Sequence, residues 1–279
     1  MPHAKSGNIA LYYEEAGSGF PIVFVHEFAA DLREWETQMR WFSRQYRCIA
    51  FNARGYPPSD VPEIDSDYGW EHSRDDIAAV LRHLGIGQAY VVGLSMGAYA
   101  ALQFGLRHPE MARALVVAGC GSGSLPEQRA EFQATTRALS ETFLREGSAK
   151  AAELTGSSPT RIQLKHKDPR GWAEFMAHLS GHSAQGSGLT SRNYQLLRPS
   201  LQDFAADLAR LPMPVLLVVG DEDEPCLETN LFLKRTIPAA GLWVVPQTGH
   251  AINLEEPAAF NRAVRDFFDA VERGQWRRR

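Results

Sequence analysis

The amino-acid sequence predicts an α/β fold: a mostly parallel central sheet flanked by helices, with a helical insertion in the middle of the chain. Three observations predict it. Short apolar, β-branched runs, each closed by a turn signal, recur along the chain. Segments with apolar residues at helical spacing alternate with them. That alternation then stops between about Ser122 and Phe204, where the sequence reads as helices and loops without a convincing strand.

In order, NIALYYEEAG alternates apolar and polar residues and reads as an outer antiparallel strand. PIVFVHE, RCIAFNARG, AYVVG and VLLVVGDED are unbroken apolar runs, as expected of strands covered on both faces, and RALVVAGCG and GLWVVPQTGH read as two more. SRDDIAAVLRHLG has helical spacing and a glycine stop, and AYAALQFGLRHP reads as a helix closed before Pro109. The last helix pattern, EEPAAFNRAVRDFFDAV, places Phe260, Val264, Phe267 and Val271 on one face. Strand–helix alternation of this kind implies right-handed crossovers. Within the insertion, PEQRAEFQATTRALSETFLREG and GWAEFMAHLSGH read as helices, a cap over the carboxyl edge of the sheet. The expected division is a core of residues 1–121 and 205–279 with a helical cap of residues 122–204.

Composition narrows the functional classes. The chain has 279 residues, 44% hydrophobic and 22% charged, with a formal net charge of -4. That length suits a single α/β core. The near-balanced charge carries no clustered basic excess of the kind a nucleic-acid surface needs. The tail RGQWRRR is the local exception and reads as a frayed, solvated terminus. The three cysteines, Cys48, Cys120 and Cys226, are widely spaced and form neither a metal-ligand pair nor a disulfide framework. No apolar leader-like run or membrane-length span is present, so a soluble protein of a reducing, cytoplasmic compartment is expected.

The chemistry is carried by Gly93-Leu94-Ser95-Met96-Gly97, set between the AYVVG strand and a helix. A tight strand-to-helix turn leaves no room for side chains flanking the serine, and it lifts the hydroxyl above the sheet edge at a helix N-terminus. There the helix dipole and free N–H groups favour developing negative charge. The plain structural alternative is a helix N-cap in a glycine-rich turn. A serine nucleophile needs a base oriented by a third group. VLLVVGDED ends in a carboxylate cluster directly after a strand, and His250 stands in the loop after the next strand, before the last helix. Of the nine histidines only His250 is so placed; His83 and His108 lie near helix ends and read as surface residues.

GLSMG, VVGDED and TGHAINLEEP, with HEFAADLREW and NARGYPPSD before them, resemble the α/β-hydrolase superfamily from about Ile9 to Phe268. The resemblance implies the α/β-hydrolase fold, Ser95 as nucleophile and His250 as general base. The acid it implies is Asp223, three residues after the glycine that ends its strand, with Asp221 as the alternative. It implies an oxyanion hole from the backbone N–H groups of Met96 and Phe28. Two positions depart from the family pattern. Glu27 stands where glycine is usual, and is expected either to point away in a structural ion pair or to shape the site. Asn52 stands where aspartate is commoner, and with Arg54 reads as loop scaffolding.

Candidate pocket walls are Phe28, Trp35 and Met96 from the core and Trp172, Phe175 and Met176 from the insertion. The run RIQLKHKDPR reads as a solvated face, with attraction of an acidic substrate as the alternative. The expected activity is hydrolysis of a small to medium carboxylic ester through an acyl-enzyme, with no metal or organic cofactor, a small-molecule substrate, and neither nucleic acid nor membrane as partner. Carbon–carbon bond hydrolysis and perhydrolysis use the same machinery, and a non-turnover binding protein is the rival of a different class.

Overall fold

An antiparallel hairpin, β1 (His3–Ser6) and β2 (Ile9–Ala16), leads into β3 (Pro21–Val25), α1 (Glu36–Phe42), β4 (Arg47–Phe51), α2 (Trp70–His83), β5 (Ala89–Leu94), α3 (Met96–Arg107) and β6 (Ala112–Ala118). Helices then follow one another: α4 (Pro126–Glu146), α5 (Ser148–Gly156), α6 (Ile162–Lys167), α7 (Pro169–Ser180), α8 (Ala184–Thr190) and α9 (Ala205–Leu208). Alternation resumes with β7 (Val215–Gly220), α10 (Glu224–Thr236), β8 (Ala240–Val245), α11 (Ile252–Glu255) and α12 (Pro257–Glu272). This computed structural model describes residues 1–277.

The strands form one eight-stranded sheet in the order β1-β2-β4-β3-β5-β6-β7-β8. β1 pairs antiparallel with β2 and β2 antiparallel with β4, while β4 through β8 run parallel. The sheet is therefore mostly parallel and flanked by helices, as the apolar runs predicted, and this is the arrangement that the motif resemblance implied. β5 and β7 are buried at every position, which is why they read as unbroken apolar runs. β8 differs from that expectation: it pairs only with β7, and Val244 is 43% exposed. An edge strand has no second neighbour to complete its cover.

Helices cover both faces. On one, α12 buries Phe260, Val264, Phe267 and Val271 with Trp35, Met39 and Phe42. Phe268 stacks on Tyr90 at 3.8 Å, an arrangement worth about 0.5–1.5 kcal/mol beyond area burial. Removing the fully buried Phe260 ring would cost about 3–5 kcal/mol. On the other face α2 and α3 pack through Ile77, Leu81, Leu102 and Phe104. The helices between β6 and β7 keep a smaller core of their own, with Phe143, Leu164, Phe175 and Leu179 packed against Ala29, Ala30 and Ala251.

Trp35, expected in the pocket, lies in the sheet-facing core between Phe24 and Phe260, at ring distances of 5.2 and 6.1 Å. The turn Leu32–Trp35 that precedes α1 directs it under the sheet, away from the strand ends. The tail differs from its expected fraying as far as Trp276. Trp276 packs edge-on against Phe267, and its ring N–H donates to the Ala239 carbonyl at 2.8 Å; Arg278 and Arg279 lie outside the described residues. His108, expected at the surface, is buried and meets Asp75 at 3.0 Å.

Candidate active site

The β5–α3 junction is closed by sterics. A Cβ at Gly93 would stand 2.3 Å from the Gly97 carbonyl oxygen, and one at Gly97 would stand 2.1 Å from that of Val25. Both positions are therefore restricted to glycine. Ser95 between them has φ +53° and ψ -110°, a conformation that costs about 1–3 kcal/mol and persists only where its surroundings enforce it. They do so here: its N–H donates to the Ala118 carbonyl of β6 at 2.8 Å, and its carbonyl accepts from Tyr99 N–H at 2.9 Å. In the buried stretch from Val91 to Ala100, Ser95 alone is partly exposed.

Asp223 follows β7 at the start of α10 and is 1% exposed. Its Oδ2 accepts a 2.8 Å hydrogen bond from Nδ1 of His250. Asp221, the alternative acid, is exposed, and its carboxylate accepts from Thr248 N–H at 3.2 Å; it ties the two loops together away from the imidazole. The His250 loop is held from both sides. Glu255 accepts from Gly249 and Ala251 N–H at 2.6 and 3.1 Å, while His250 N–H donates to the Thr160 carbonyl at 2.8 Å. Burial opposes charge on the imidazole, but Asp223, and then Glu27, outweigh it and raise His250 above the ordinary histidine value.

Glu27 forms the expected structural ion pair but does not point away from the site. Its carboxylate lines the cavity, with Oε2 3.9 Å from His250 Nε2. It is neutralised by a two-pronged ion pair with Arg161, at 2.9 and 2.5 Å. Burial opposes the Glu27 charge, yet Arg161 holds the carboxyl below its usual range. Arg161 also stacks over Phe175 at 4.9 Å. Beneath this pair Glu34 accepts from the Glu27 N–H at 2.8 Å, and burial with the Glu27 charge pushes the Glu34 carboxyl well above the usual range. Asn52 and Arg54 behave as the expected scaffolding. Asn52 joins Leu32 N–H to the Pro57 carbonyl, and Arg54 pairs with the buried Asp76.

The N–H groups of Phe28 and Met96 donate to no protein acceptor among the described residues. Each residue is held through its own carbonyl: Tyr56 donates to the Phe28 carbonyl and Tyr194 to the Met96 carbonyl, both at 2.8 Å. The Ser95 hydroxyl forms no hydrogen bond to His250 among the described residues; such contacts commonly tighten only with substrate bound. Asp223, Cys226 and His250 bring potential metal ligands within 4.8 Å of one another. Burial pushes the Cys226 thiol well above its usual value, and it points its S–H at the Gly119 carbonyl.

Ser95, Asp223 and His250 line one cavity of about 650 Å³ with Glu27 and Phe28. Among the expected wall residues Phe28 is present. Met96 contributes no side chain, since that side chain is packed beside α3. Trp172, Phe175 and Met176 of α7 turn into the small core of the helical segment, with Trp172 and Phe175 stacked at 5.7 Å. They support the wall from behind. The wall itself comes from α4, through Gln128, Phe132, Thr135, Leu139 and Thr142, and from Arg198. The spacing of the α4 residues is a helical stripe legible in the sequence, but its mixed polarity disguised it. The run RIQLKHKDPR lends the cavity Arg161; Lys167 and Arg170 are paired with Glu256 and Glu174.

A family profile described as "alpha/beta hydrolase fold" matches residues 21–257. The chain is 28% identical to 3-oxoadipate enol-lactonase 2 of Acinetobacter baylyi over 262 residues, 92% of each chain. Among solved structures, a thermophilic esterase from Thermogutta terrifontis superposes with a TM-score of 0.83 at 25% identity, covering 96% of this chain and 97% of that one. Est816, an N-acyl homoserine lactone degrading enzyme, superposes with a TM-score of 0.72 at 28% identity, covering 95% of this chain and all of that one (100%).

Proposed function

Because the chain belongs to the alpha/beta hydrolase fold family, whose named relatives here are enzymes, we propose that it is a serine hydrolase cleaving carboxylic esters or lactones through an acyl-enzyme. The observation that carries this reading is the 2.8 Å Asp223–His250 hydrogen bond in the same cavity as a strained Ser95. Ser95 Oγ attacks the substrate carbonyl while His250 Nε2 takes its proton. Asp223, bonded to Nδ1, fixes the tautomer and stabilises the imidazolium. The Phe28 and Met96 N–H groups receive the oxyanion, a service worth about 10²–10³ in rate per donor in such sites. Collapse of the tetrahedral intermediate expels the alcohol with the proton from His250. Water, deprotonated by His250, then cleaves the acyl-enzyme and regenerates Ser95. Residues 122–204 form the cap that closes this cavity on the side opposite the sheet.

A lactonase and an esterase among the relatives support acyl transfer to water. Glu27 is compatible with an oxyanion because Arg161 cancels its charge. The test is initial rates on p-nitrophenyl esters of increasing acyl length, wild type beside Ser95→Ala. The variant should fold normally and lose about 10³-fold or more in rate. A well-folded wild type with no rate on any acyl length would remove the general esterase reading.

A further inference from the structure

The cavity holds two arginines, and only one of them is neutralised. Arg161 is committed to Glu27 through both prongs of its guanidinium. Arg198, in the stretch after α8, is equally buried at 6% exposure. No carboxylate of the described residues lies within ion-pairing distance of it. One of its nitrogens donates to the Ser122 carbonyl at 2.9 Å, and its plane lies over the rings of Tyr99 and Phe132, each at 5.1 Å. Nε and the second terminal nitrogen donate to no protein acceptor among the described residues.

The neighbourhood does not supply the missing counter-charge. Arg129 donates to the Arg198 carbonyl at 2.5 Å and to that of Gly123 at 3.1 Å, so a second cation stands beside the first. Burial and the Arg198 charge push Arg129 below its ordinary value. The acids of the cavity are already engaged or solvated. Glu27 has Arg161 and Asp223 has His250, while Glu131 and Glu224 sit exposed at the rim, where water screens them. Gln128, another wall residue, has its amide oxygen buried without a partner; turned about, the amide presents a donor to the same space. A buried guanidinium without a counter-ion is costly. Ser122 takes only one of the two Nη2 N–H groups, so the other, paired with Nε or with Nη1 on the same edge, matches the two oxygens of a carboxylate.

We propose that Arg198 receives a carboxylate carried by the substrate, so that the enzyme selects acyl compounds bearing a second, ionised carboxyl group apart from the scissile carbonyl. This inference rests on the acyl-transfer reading for its turnover test, and a binding test keeps the two separable. Arg198 binds and orients; it takes no part in proton transfer.

The experiment compares kcat/KM on mono-p-nitrophenyl glutarate and p-nitrophenyl pentanoate, esters of equal acyl length that differ in the terminal carboxylate. Wild type should prefer the glutarate ester by about 10- to 100-fold, the range expected for a hydrogen-bonded charge contact. Arg198→Gln should abolish the preference, mostly through KM, by lowering kcat/KM on the glutarate ester far more than on the pentanoate ester. In parallel, calorimetry on the Ser95→Ala protein should detect glutarate but not the diol of the same length. Equal wild-type rates on the two esters, or an Arg198→Gln loss shared equally by both, would overturn the proposal. Arg198-dependent binding of glutarate with no hydrolysis of either ester would leave the anion site standing and remove the triad reading. Should Arg198→Gln fail to fold, the wild-type ester preference together with glutarate against diol on Ser95→Ala decides the matter: no preference in either overturns it.

Discussion

Arg161 and Arg198 are two arginines of the same helical segment, each 6% exposed, each lining the cavity and each stacked on an aromatic ring. They differ in one respect: Arg161 faces a buried carboxylate and Arg198 faces none. Burial alone therefore does not assign a role to a cation; its counter-charge does. Arg161 fastens the helical segment to the loop after β3, because both of its terminal nitrogens are held by the Glu27 carboxylate. Arg198 keeps donors in reserve, and the ring contacts hold its plane in place meanwhile.

The largest expected effect separates the two as structural groups. Arg161→Gln strands Glu27 as an unpaired buried charge and should destabilise the protein by about 3–5 kcal/mol in urea unfolding. The double variant Glu27→Gln/Arg161→Gln should lose clearly less than the sum of the singles. Arg198→Gln removes one hydrogen bond and two ring contacts, and should cost about 1–2 kcal/mol. Equal losses at the two positions would erase the contrast. The smallest effect belongs to Lys167, which joins the same segment to Glu256 at 2.6 Å with both side chains partly exposed. Lys167→Ala should change stability by less than about 1 kcal/mol, which fixes the scale for a fastener outside the cavity.

The pair also sets a pH dependence. His250 faces Asp223, Glu27 and Arg161, with the carboxylate of Glu255 on its flanking backbone. It must be neutral to accept the serine proton, so its raised value places the acid limb of kcat/KM above the ordinary histidine pKa. Glu27→Gln removes a negative neighbour and leaves Arg161 positive; both changes favour the neutral ring. The acid limb should therefore move to lower pH, measured as kcat/KM against pH on one ester. An unmoved limb would mean that the Glu27 charge is not felt at His250, despite the 3.9 Å separation.

Legibility followed locality. The elbow was readable because Gly93 and Gly97 are required by contacts within one strand-turn-helix unit and its immediate neighbour. The acid and the base were readable because each follows a buried strand whose apolar run marks its end. Trp35 was misread because an aromatic residue near a site loop has two directions open to it, and the turn before α1 selected the core. The α7 aromatics had two readings, pocket wall or packing against the core, and the second holds: an amphipathic helix announces a buried face but not what buries it. Arg198 carried no signal at all, since a single arginine in a polar stretch looks like solvated surface.

What the sequence by itself determined is the order of strands β2 to β8 and of helices α2, α3, α4, α7 and α12, the geometry of the β5–α3 turn and the candidates for nucleophile, acid and base. These depend on residue periodicity and on backbone sterics, which act over a few neighbours. What only the tertiary structure decided is which charges are paired. Glu27 meets Arg161 across 134 positions of chain, and Arg198 meets Ser122 across 76. Electrostatic energy depends on distance in space and on exclusion of water; no local pattern in the chain encodes either.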